Sequence, residues 1–79
     1  MNIAELQKIL SERGVRSPAF SIEGVGADEE QYRLERLGGV WRTYYYERGN
    51  MIAVREFPDE DEACRYLLMM LLNDPTARR

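Results

Sequence analysis

Apolar and polar residues recur along this chain with two different periods, and the change of period divides it into elements. Ile3, Leu6, Ile9 and Leu10 fall at helical spacing, with Glu5, Lys8, Glu12 and Arg13 on the other side. Asn2 stands where a helix cap is favoured and Gly14 offers a left-handed stop, so the spacing predicts a helix over 3–13. Pro18 biases Ser17 toward extended backbone, which makes Val15 to Phe20 a connector. The period then drops to two. Ala19 to Val25 reads as a short extended piece with Phe20 and Ile22 on one side, followed by Gly24, Gly26 and the acidic loop Asp28-Glu29-Glu30. Tyr32 to Leu37 reads as a strand, with Tyr32 and Leu34 on one face and Arg33 and Glu35 on the other. Gly38-Gly39 signals a two-residue hairpin into a strand from Val40 to Glu47.

The second hairpin, through Glu47-Arg48-Gly49-Asn50, leaves two registers open. A two-residue loop puts Trp41, Thr43 and Tyr45 on the face shared with Ile52 and Val54. A three-residue loop aligns that face with Ala53 and Phe57 instead, because a one-residue slip turns a strand's side chains over. After Phe57 the helical period returns. Asp59 and Glu62 have the spacing of a capping box, and the neighbouring acids suit the positive end of a helix dipole. The helix then carries an unbroken apolar run from Tyr66 to Leu72, which a one-sided surface helix would interrupt, so it is buried on more than one side or meets a partner. Asn73-Asp74-Pro75 ends it, and the stretch 73–79 reads as a frayed tail.

These elements predict a single α+β domain over 1–79. Its architecture is a two-layer sandwich: an antiparallel meander of three or four strands with the N- and C-terminal helices on one face. Composition changes this picture little. The chain is 32% charged and 44% hydrophobic, in the range of ordinary globular domains, and has no apolar run long enough for a membrane span. Its single cysteine, Cys64, suits a reducing compartment, and the N-terminal stretch has no signal-peptide pattern, so a cytoplasmic location is expected. The net charge of −3 argues against nonspecific nucleic-acid binding.

The chemistry a catalyst needs is sparse. There is no histidine, which removes the commonest general base and metal ligand. Cys64 has no second cysteine to share a metal and sits beside Glu60, Asp61 and Glu62, which disfavour a thiolate; it reads as a small core residue. The carboxylates cluster at 28–30 and 59–62, at loop and cap positions, and read as solvated acids. The glycines at 24–26 lack the rest of a phosphate loop. No catalytic residue, cofactor or metal is therefore assigned, and no enzyme is expected.

What remains is surface. Tyr44 and Tyr46 share one face of their strand, with Arg42 and Arg55 beside them. Tyrosine and arginine are enriched in protein–protein hot spots, although tyrosine is also simply a good strand former. Asp28, Glu29 and Glu30 would complement a basic partner. Glu47, Arg48 and Gly49 form a turn that either braces the hairpin or is read by a partner, with bracing the simpler account. A competing reading is a homodimer through Leu68–Leu72.

The pattern W-x-T-Y-Y-x-E-R-G from Trp41 to Gly49, followed by F-x-x-E-x-E-A-C-x-x-L-L from Phe57 to Leu68 and L-N-D-P from Leu72 to Pro75, resembles a family of small bacterial immunity-like proteins often encoded beside polymorphic toxins. The resemblance extends to the first helix ending in Arg13-Gly14 and to Pro18-Ala19-Phe20-Ser21. It implies a non-catalytic protein that neutralises a cognate toxin by direct binding, and it carries over no inhibitory residues. Tyr46 stands where the family pattern has a small residue such as serine, and Thr43 where it has valine.

Overall fold

The computed structural model describes residues 1–25, 27 and 29–77. Helix α1 spans Ile3–Glu12, strands β1 to β4 span Phe20–Ile22, Gln31–Leu37, Val40–Glu47 and Asn50–Phe57, and helix α2 spans Glu60–Leu72. Short 3-10 turns at Ser17–Ala19 and Pro75–Ala77 complete the chain. The expected α+β order is present, and both helices share one core with the sheet.

Both helix starts are built as their sequences suggest. The Asn2 side chain accepts from the Glu5 N–H at 2.9 Å, and the Asp59 side chain accepts from the Glu62 N–H at 2.8 Å. The acids of the α2 first turn also serve α1. Glu60 accepts from the Ile3 N–H at 2.8 Å and Asp61 takes the Met1 amino group, so two positive helix ends share one acidic cluster. The helices bury Leu6, Leu10, Ala63, Cys64, Leu67 and Leu71 completely, against Ile22, Leu34 and Trp41 of the sheet. Leu68, Met70 and Leu72 also pack against this core, which accounts for the unbroken apolar run: α2 contacts both α1 and the sheet.

The sheet order is β1-β2-β3-β4. The meander β2-β3-β4 is antiparallel, and the short β1 joins it as a fourth strand running parallel to β2, with Ile22 beside Leu34. The connection that carries the chain back to the start of β2 has Glu23 and Glu30, both at φ 51, in left-handed turn conformations near its ends.

The second hairpin combines both registers left open by the sequence. Arg48 and Gly49 form a two-residue turn with φ of 51 and 80, the type I′ pattern that matches strand twist, and Tyr45 faces Ile52. Ala53 and Val54 then both lie opposite Tyr44, and beyond this bulge Thr43 faces Arg55 and Trp41 faces Phe57. Ala53 has φ 55, a position that glycine occupies more easily.

Residues 73–77, expected to fray, are tied down instead. Ala77 is buried at 2% exposure and its carbonyl accepts from the Arg16 N–H at 2.8 Å. Asp74 accepts from both the N–H and the hydroxyl of Thr76. Burial and these bonds outweigh the fraying that an end position suggests. Arg78 and Arg79 lie outside the described residues. No described helix is long and apolar enough to cross a membrane.

Candidate partner-binding face

Leu37 faces Val40 across the Gly38-Gly39 turn, so alternate residues of β2 and β3 must meet on the sheet face away from the helices: Gln31 with Tyr46, Arg33 with Tyr44, and Glu35 with Arg42. Arg42 makes an ion pair with Glu35, its Nε donating to Oε1 at 2.9 Å, and the Tyr44 hydroxyl donates to the other carboxylate oxygen at 3.3 Å. The Arg42 guanidinium also sits 5.7 Å from the Tyr44 ring centre. Arg33 lies 3.9 Å over the Tyr46 ring, and its Nε donates to the Gln31 side chain, which donates in turn to the Pro18 carbonyl. Side chains thus cover this face in place of a second layer. Tyr44 is only 5% exposed and Gln31 is fully buried, although neither points at the core.

The anticipated partner-binding residues separate into three places. Arg42, Tyr44 and Tyr46 come together as expected, with Tyr44 serving as the base on which Arg42 is laid. Arg55 does not join them. The bulge at Ala53 and Val54 turns it to the helix side, where its guanidinium is 5.0 Å from the Tyr66 ring beside Phe57. Glu29 and Glu30 lie near the Tyr32 and Tyr45 end of the sheet, on the helix side, and Asp28 is outside the described residues. Glu47, Arg48 and Gly49 form the tight turn that bracing requires.

Arg33, Glu35 and Gln31 belong to the open face and were not among the anticipated residues. Their signal was available: once Gly38-Gly39 is taken as a two-residue turn, Glu35 must face Arg42. Less legible was a cleft of about 260 Å³ at the end of the sandwich, walled by Tyr32 and Tyr45 and rimmed by Glu29, Glu30, Asp74 and Arg16. The two rings meet edge to face with centroids 4.8 Å apart, and the Tyr32 hydroxyl donates to Asp74 at 2.9 Å. Burial first, then this hydrogen bond, pushes Tyr32 up to about 12. The bonds from Thr76, and a smaller one from Tyr32, hold Asp74 below the usual carboxylate range. Burial, then Glu30, Glu47 and Asp74, raises Tyr45. Elsewhere Cys64 is fully buried, and burial followed by Glu60 raises its thiol to about 11.

Compared with protein-family models, with curated proteins and with solved structures, the chain matches none.

Proposed function

We propose that this protein is a non-catalytic binding module of the immunity type, which neutralises a cognate bacterial toxin by direct contact through the open face of its sheet. The observation that carries the reading is the pre-arranged layer of Arg33, Arg42 and Tyr46 over Gln31, Glu35 and Tyr44, on the side of the sheet that the helices leave uncovered. Arginine and tyrosine held by neighbours lose little side-chain freedom on binding, which is how hot spots gain affinity. The identity of the partner class rests on the family resemblance of the Trp41–Gly49 and Phe57–Leu68 patterns.

The test is affinity capture of the tagged chain from its own cells, with mass spectrometry of the eluate. A single stoichiometric protein is expected, one that arrests growth when expressed alone and is silenced by co-expression of this chain. Capture should fail with Arg33→Ala/Tyr46→Ala and persist with Arg55→Ala, which changes the opposite face. Recovery of the bait alone, as a stable dimer, would overturn the reading and favour the self-association alternative. In that alternative the Leu68–Leu72 run offers mainly Met69, at 47% exposure, whereas the β4 edge offers Met51, Ile52 and Val54.

A further inference from the structure

The sheet ends in two edges that differ in length and in cover. On one side β1 is only Phe20–Ile22, with Ser21 and Ile22 at 1% and 4% exposure, and the left-handed Glu23 follows it. An edge that short offers little ladder to a neighbour. On the other side β4 runs from Asn50 to Phe57, pairs only with β3 among the described strands, and is exposed from Asn50 to Glu56. The stretch Asn50-Met51-Ile52-Ala53-Val54 carries no charge, and Met51, Ile52 and Val54 are 41%, 43% and 45% exposed. The charges that follow do not shield it: Arg55 lies over the Tyr66 ring, and Glu56 faces Arg42. Lysine, a common edge blocker, occurs once in the chain, at Lys8 on α1. A long, uncharged, apolar edge is a template for a second strand.

The bulge interrupts that template at its centre. Ala53 and Val54 both lie opposite Tyr44, so the spacing of the outward N–H and C=O groups breaks there and the strand twists more sharply. What remains is 50–52 on one side and 55–57 on the other, each as short as β1. The bulge is held at a cost. Among the described residues other than glycine with positive φ, Glu23, Glu30 and Arg48 lie outside the strands, whereas Ala53, at φ 55, lies within one. The core does not demand it. Without Ala53, the residues Ile52, Arg55 and Phe57 would keep their side of the sheet, opposite Tyr45, Thr43 and Trp41. We infer that this bulge is a built-in block to edge pairing, which keeps a second copy of the chain from adding its own β4 to this one. The block acts at the sheet edge and stands apart from the open-face reading.

The test is sedimentation of the full chain over a range of concentrations, with circular dichroism to show that each variant is folded. Deletion of Ala53 restores an unbroken edge. The deleted chain is expected to self-associate at concentrations about tenfold lower than the native chain, the worth of roughly three cross-strand pairs. Val54→Lys in the deleted chain should return association to the native level, because its charge blocks the edge by another route. Met69→Lys, on the exposed side of α2, should not. Ala53→Gly keeps the bulge and should sediment as the native chain does. Equal association of the native and deleted chains, persistence with Val54→Lys, or equal loss with Met69→Lys would overturn the inference. So would a native dimer that Val54→Lys dissolves, since the edge would then pair despite its bulge. Should the deleted chain not fold, Ala53→Thr takes its place, because a β-branched residue disfavours the left-handed backbone. Association no stronger than that of Ala53→Gly would then overturn the inference. Neither result bears on capture of a partner by the open face.

Discussion

Thr43 and Tyr44 are neighbours on β3, both buried, and they point to opposite faces of the sheet. Under the helices, the Thr43 side chain is fully buried and its hydroxyl has no hydrogen-bond partner among the described residues. On the open face, Tyr44 is 5% exposed and its hydroxyl reaches Glu35. The difference shows how each face is closed. Helices exclude water by bringing apolar side chains, and they bring no acceptor for a stray hydroxyl. The open face is closed by its own arginines, glutamate and tyrosines, which shield one another while supplying partners.

The largest break in this contrast should come from the covered side. Leu67→Ala removes a fully buried side chain from the helix–sheet contact and is expected to cost about 3 kcal/mol in a denaturant titration. An equivalent truncation on the open face should cost much less. Next comes alkaline pH, which acts on neutral forms held by the fold. Cys64 is raised from 9.0 to about 11 and Tyr32 from 10.0 to about 12. The stability they contribute is therefore complete below their unfolded values and is lost as pH rises from about 9 through 12. A midpoint that stays flat across that window would contradict the burial assigned to both groups.

Thr43→Val sharpens the comparison because it changes the sign. Removing a buried hydroxyl without a partner should raise stability by about 1 kcal/mol, since no hydrogen bond is lost and the shape is kept. Glu35→Ala does the reverse on the open face, leaving Arg42 and the Tyr44 hydroxyl without their acceptor. With both members of the ion pair about a quarter exposed (24% and 29%), the cost should be about 1 kcal/mol or less. The smallest effect is at the bulge. Ala53→Gly relieves a left-handed alanine and should add about 0.5 kcal/mol, partly offset by glycine's greater freedom when unfolded. If Ala53→Gly instead destabilised, the bulge would not have the geometry described.

Much of the fold was legible from local pattern. The two capped helices, the Gly38-Gly39 hairpin and the paired faces of β2 and β3 follow from spacing and turn chemistry over a few residues. The Glu35–Arg42 pair was readable by the same route. Arg55 was not. Its side depends on whether Ala53 and Val54 share one partner, and an alanine carries no mark of a bulge where a glycine would have hinted at one. The tail was misread for a related reason, since no local signal says that Ala77 will meet Arg16.

By itself, the sequence determined the element types, the antiparallel meander and the polar composition of one sheet face, because periodicity, caps and two-residue turns are short-range properties. Tertiary structure alone decided that β1 would run parallel to β2, that the acids of α2 would also anchor α1, and that Tyr32, Tyr45, Glu30 and Asp74 would enclose a cleft. Each of these joins residues far apart in the chain, and such contacts form only when burial of the common core offsets the entropy of closing the loops between them.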